Sequence, residues 1–185
     1  MSQERFSTQT LEEMTPEQRT AAEGILSGPR GGMRGPFKAL LRSPDLADKV
    51  QRVGAYVRFN TCLHQRLNEL AILLVARQWN AQFEWYAHRL LALKAGLDGR
   101  ICDAIAEGKR PAKMDEEETI VWEFGNELLR TKEVSDAKFN AVKAKFGEQG
   151  VIDLIGAMGY YTLVSMVLNV DRVPLPEGVE PLKKL

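Results

Sequence analysis

The stretch LAILLVA, residues 70–76, has no polar face whichever way it is wound, so it has to lie in the middle of whatever the chain builds. It sits inside a longer segment, 63–79, with helical character throughout, and a second such segment follows Asn80 and continues to Lys94 before the stop signal Ala95-Gly96. Asn80 can end the first helix and cap the second. A helical hairpin, 63–96, with one fully buried arm is therefore expected at the centre of the fold.

The flanks add helices and no strands. Thr15-Pro16-Glu17-Gln18 supplies an N-cap hydroxyl, a proline at the first helical position and a Gln placed to close a capping box, starting a helix that runs to about Ser27. Ser43-Pro44 repeats the signal, and Leu46, Val50, Val53 and Val57 follow at helical spacing to about Phe59. Between the two, GPRGGMRGPF (28–37) carries four glycines and two prolines, which break any periodicity and make a loop or adaptable cover with two cations in it, Arg30 and Arg34. Asp98 caps a short helix ending near Gly108. Residues 115–131, 135–146 and 148–169 read as three more helices, and VPLPEGVEPLKKL, within 172–185, forms an extended tail. No alternation of apolar and polar residues bounded by turns occurs. The expectation is one all-α domain over residues 1–185, a bundle of seven to eight helices.

With 185 residues, 44% of them hydrophobic, such a domain buries roughly 70% of its unfolded surface and needs neither disulfide nor metal to fold. Lys plus Arg (25) balance Asp plus Glu (25), and no basic patch interleaved with aromatics forms a footprint for nucleic acid. The N-terminal MSQERFSTQTLEEM lacks an apolar run, and no stretch reads as reaching the ~18 apolar residues of a membrane span, so a cytoplasmic protein without membrane partners is expected. Cys62 and Cys102 are far apart and read as reduced thiols, and two histidines, His64 and His88, cannot assemble a zinc site.

Against this background NAQFEWYAH (80–88) stands out, because it places an ionisable pair in a segment otherwise suited to a helical interior. Glu84 and His88 are one turn apart on one helix face. Glu69 lies 11 residues before Asn80 and His88 lies 8 after it, so at ~1.5 Å per residue their heights along the hairpin differ by about 4 to 5 Å. The two can face each other. A carboxylate entering the buried run needs a partner or a raised pKa. Glu69 is therefore either a structural anchor between helices or a group that holds protons. Glu84 is a solvated carboxylate, an orienter of His88 or a catalytic group. Trp85 and Phe83 read as packing residues that can also line a pocket, as do Tyr160 and Tyr161. His64 begins a helix at the surface and is given no role.

The segment ELAILLVARQWNAQFEWYAHRLLALKAGL (69–97) resembles the carboxymuconolactone decarboxylase and alkylhydroperoxidase D superfamily, and the likeness extends through GPFKALLRSPDLADKV before it and GYYTLVSMVLNVDRVPLPEG after it. In the peroxidase branch a Glu, a CxxC and a His relay protons to the thiols. Glu69 and His88 match that Glu and His, while the cysteine positions fall on Ala81 and Glu84. Without the vicinal dithiol, CxxC peroxidase chemistry is not available.

The decarboxylase branch carries a Glu four residues before its His, as Glu84 stands to His88. The resemblance accordingly implies a cofactor-free and metal-free decarboxylase or related lyase or isomerase, acting on a small carboxylated, lactone-like compound of aromatic catabolism. In it His88 is the acid, Glu84 its orienter and Glu69 a second proton-holding group. Arg30 or Arg34 would bind the substrate carboxylate, with Trp85 and Tyr160 as further contacts. Two alternatives stay open: an antioxidant protein of the peroxidase type without CxxC, and a non-catalytic ligand-binding or assembly protein. The resemblance also implies an orthogonal arrangement of the helices, the alkylhydroperoxidase D-like bundle, and a homo-oligomer, a trimer or a hexameric ring of dimers.

Overall fold

The computed structural model describes residues 4–28 and 32–185, and within them every regular element is helical. In chain order these are α1 (Pro16–Leu26), α2 (Phe37–Leu40), α3 (Pro44–Phe59), α4 (Gln65–Gln78), α5 (Gln82–Lys94), α6 (Gly99–Ala106), α7 (Glu116–Thr131) and α8 (Asp136–Asp171). The all-α expectation is met.

Helix α4 is the axis of the molecule and packs against α5, α6, α7 and α8. Leu67, Leu70, Ile72, Leu73 and Val75 are all sealed from solvent, as a run with no polar face demands. Polar ties fix the height of this helix. Asn68 donates to the Val57 carbonyl of α3 at 2.8 Å, and Arg66 pairs with Asp115 and Glu118 at the start of α7. Helix α7 approaches closely because Gly125 has no side chain: a Cβ there would stand 2.9 Å from Leu74 Cδ1.

The predicted starts are present. Thr15 and Gln18 form the capping box of α1, and Asp115 and Glu118 form a second at α7. The break expected after Phe146 is Gly147, whose φ of 72° and ψ of 179° interrupt α8 and aim its second part, from Glu148 onward, back across α3, α4 and α7.

Three details differ from the sequence reading. Asn80 does not cap α5: at φ 48° it is the left-handed residue that ends α4, a conformation Asn tolerates well, and Ala81 occupies the N-cap of α5 with no side-chain bond to offer. The Gly-rich segment ends in the short helix α2, which buries Phe37, Ala39 and Leu40. By length and composition, α8 contains a window apolar enough to cross a membrane, although no such stretch was expected. More than half of that window is buried inside the fold, and its one charge there, Asp153, is itself buried, accepting from Tyr56 Oη and Cys62 N at 2.9 Å each. The two cysteines are free thiols as read, Cys62 exposed and Cys102 buried on α6.

The tail after Arg172 is not helical and lies against the hairpin. Gln82 clamps Leu182 from both sides, accepting from its N–H at 2.7 Å and donating to its carbonyl at 2.9 Å, and Arg77 donates to the Lys183 carbonyl at 2.7 Å.

Candidate active site

The hairpin places the three ionisable groups of the sequence reading in one line. His88 Nδ1 lies 2.6 Å from Glu69 Oε2 across the two helices, and His88 Nε2 lies 3.0 Å from Glu84 Oε1 one turn earlier on its own helix. Glu69 is wholly buried, and its other oxygen accepts from Gln65 Nε2 at 2.7 Å, so both its oxygens have partners. Glu84 is buried too, contrary to its reading as a solvated helix carboxylate.

An imidazole with a carboxylate at each nitrogen is held as imidazolium. Burial of the ring pulls its pKa down, but the charge of Glu84, the hydrogen bonds to Glu69 and Glu84, and the charge of Glu69 together raise it from 6.5 to about 9. His88 therefore carries its extra proton at neutral pH, and its titration falls in the alkaline range rather than near neutrality. With both nitrogens facing carboxylates, the ring also presents no lone pair to a metal ion. Tyr161 packs edge-on against the imidazole, with centroids 4.7 Å apart. Burial pushes its phenol well above the usual value, helped by Glu84 and Glu69, so it stays a neutral hydroxyl.

A cavity of about 390 Å³ opens onto this line. His88 and Glu84 reach its wall; Glu69 does not and stands behind them. Phe83 and Tyr160 contribute aromatic surface, and Arg34 and Arg58 supply two cations. Arg34 is exposed and has no protein partner among the described residues, while Arg58 stacks 5.1 Å from the Phe59 ring centroid and pairs with no carboxylate there. An anionic group on a ligand would meet two arginines on entry, and a developing charge deeper in the cavity would meet the protonated His88 and its carboxylates.

Of the remaining site expectations, Arg30 lies outside the described residues. Trp85 is not at this cavity: it lines the groove beneath the C-terminal tail, because each step along a helix turns by about 100° and carries it off the face that Glu84 and His88 share. Two contributors, Gln65 and Arg58, were not named from sequence, while Phe83 and Tyr161, read as packing residues that can also line a pocket, do stand at this one. Gln65 sits one turn before Glu69, a spacing that could have flagged it. Arg58 and Tyr161 reach the site from distant segments, with no local signal for their position. His64 is exposed and caps α4, accepting from Arg66 N at 3.3 Å.

No protein-family model matches the sequence, and no curated protein matches it. Among solved structures it is similar to the crystal structure of an alkylhydroperoxidase AhpD core, an uncharacterized peroxidase-related protein from Ralstonia eutropha JMP134, with a TM-score of 0.75 over 96% of this chain and 94% of that chain at 13% identity. The helical arrangement around α4 and α5 is thus the alkylhydroperoxidase D-like fold, and the resemblance drawn from residues 69–97 holds at the level of fold. At 13% identity the likeness carries the fold and not the chemistry.

Proposed function

We propose that the chain is a cofactor-free acid-base enzyme, a decarboxylase or a related lyase or isomerase, acting on a small carboxylated, lactone-like compound. The observation that carries this reading is the buried line Glu69, His88, Glu84 opening onto a cavity with two arginines at its wall. Glu69 holds the Nδ1 proton and orients the ring. His88 stores the proton to be delivered. Glu84, at the cavity wall, passes it to the substrate, a more direct part than that of an orienter.

In decarboxylation the bond to the carboxylate carbon breaks, CO2 leaves, and the electron pair moves into a conjugated carbonyl. The imidazolium passes its Nε2 proton to the Glu84 carboxylate, which hands it on to the carbanionic carbon and is left ionised, and solvent restores the imidazolium. Run from the other side, Glu84 removes a proton next to a carbonyl, which is the first step of an isomerase. Arg58 and Arg34 hold a substrate carboxylate at the mouth.

The name of the structural neighbour, peroxidase-related, favours a second reading as a thiol peroxidase. Against it, neither cysteine lines the His88 cavity. Burial pushes Cys102 up to about 11, and burial together with the hydrogen bond to Asp153 raises Cys62, so neither thiol is activated.

The same proposal includes a homo-oligomer, a trimer or hexamer, supported by the exposed apolar stripe Ile152, Ile155, Met166 and Val170 along α8. Light scattering giving a monomer at micromolar concentration would remove that part. The enzymatic part is tested by screening small lactone and enol-lactone carboxylic acids for CO2 release, and for deuterium incorporation at carbon in D2O. Turnover in wild type and its loss in Glu84→Gln support the assignment, and full turnover in Glu84→Gln would refute it.

A further inference from the structure

A second cavity, of about 480 Å³, lies on the other side of α4 and shares no lining residue with the one at His88. Its volume is within the roughly 300–1,000 Å³ of small-molecule sites. Leu74, Ile105 and Trp122 form an apolar floor, and all three are buried. Among the described residues four cations surround it, Arg77, Lys109, Arg130 and Lys184, and no Asp or Glu side chain lines it. By contrast, the larger groove under the tail mixes its cations with Asp103, Glu107 and Glu180.

Like charges gathered without counter-charge repel one another, and here only Lys109 is relieved, by Glu107 at 2.7 Å. Arg130 and Lys184 have no partner among the described residues. Arg77 is the informative member. It is only 9% exposed, yet its partners are carbonyls where a buried cation ordinarily meets a carboxylate: Nη1 donates to Ala106 O at 3.3 Å and to Lys183 O at 2.7 Å. Its Nε is sealed from solvent with no acceptor at all. Burial pulls its pKa below the usual arginine value, as expected for a guanidinium lacking an opposite charge. Among the described residues Nη2 has no partner either and is not sealed, so it is the donor that Arg77 leaves to an anion in the cavity.

We propose that this cavity is a ligand site separate from the His88 pocket, taking a small organic anion whose planar apolar body rests on the Trp122 floor. The anionic group faces Arg77 and is closed in by Arg130 and Lys184, and the ring covers Trp122 and Leu74. Because Arg77 and Gln82 also pin the tail that brings Lys184 and Leu185 to the cavity wall, an occupied site holds the tail down.

The test uses the full chain and phenyl phosphate as probe, reading the Trp122 indole N–H by ¹H–¹⁵N NMR, assigned among the three tryptophans with Trp122→Phe. A saturable shift of that signal at millimolar probe or below is expected. Methyl phosphate, without the ring, and benzyl alcohol, without the charge, should each bind at least about tenfold more weakly. Arg130→Gln combined with Lys184→Gln changes only exposed side chains and should weaken phenyl phosphate by about tenfold with the fold intact, while His88→Gln with Arg58→Gln should leave it unchanged. The proposal is overturned if Trp122 shows no saturable shift, if the Arg130/Lys184 variant binds as well as wild type, or if the His88/Arg58 variant abolishes binding.

Discussion

Replacing Glu69 by Gln keeps the shape of the side chain and removes the charge behind His88, so it isolates what that carboxylate does. The pKa of about 9, against the ordinary 6.5, corresponds at 1.36 kcal/mol per unit to roughly 3 kcal/mol of preference for the imidazolium in the folded protein. A raised pKa contributes stability that is fully present below about 6.5 and is lost as pH rises through about 9.

A nearby opposite charge moves a pKa by about 1 to 3 units, so Glu69→Gln should bring His88 down to between about 6 and 8. At pH 7 the variant should lose about 1 to 3 kcal/mol of stability, and the gap to wild type should narrow above pH 9. Glu84→Gln should lower His88 at least as far, because the charge of Glu84 is the largest of the influences that raise it. With two histidines in the chain, a ¹³C or ¹⁵N imidazole titration by NMR follows His88, its signal assigned with His64→Gln, and urea melts at pH 7 and 10 give the stabilities. The reasoning is refuted if His88 titrates near 6.5 in wild type, if Glu69→Gln leaves it unmoved, or if the stability gap is the same at both pH values.

The remaining expectations concern thiols, substrate entry and packing. Changing Cys62 and Cys102 together to Ala should leave turnover within about twofold of wild type, since neither lines the His88 cavity; a steady-state assay on folded protein checks this. Arg58→Gln combined with Arg34→Gln should raise KM for a carboxylated substrate about 10- to 100-fold with a smaller change in kcat, and an effect confined to kcat would remove the arginines from binding. Gly125→Ala puts a methyl group 2.9 Å from Leu74 Cδ1 and should cost about 1–3 kcal/mol in a denaturant melt.

What the sequence disclosed follows from which signals are local. The hairpin, its buried arm and the meeting of Glu69, Glu84 and His88 are all set by helical repeat within residues 63–96, so counting turns from Asn80 was enough. Asn80 was read as ending the first helix and capping the second; it does the first and not the second, because Asn serves both as a left-handed terminator and as an N-cap and the sequence does not choose. Trp85 was misplaced because adjacency in sequence is divergence on a helix. Arg58 and Tyr161 come from α3 and α8, and their arrival depends on how the helices cross, which no local pattern encodes. The same holds for the cavity at Arg77, whose wall is completed by a tail more than 100 residues away.

The most direct test of the central claim is a three-way comparison of turnover per folded molecule on a carboxylated substrate, with CO2 release and deuterium incorporation read together. Wild type and the Cys62/Cys102 double variant should be nearly equal, and His88→Gln, which keeps the helix and the approximate volume, should fall by about 100- to 10,000-fold. The wild-type rate should hold through neutrality and decline as pH passes about 9, where the imidazolium is lost. Full turnover in His88→Gln, or loss of activity in the double cysteine variant with its fold retained, would contradict the account.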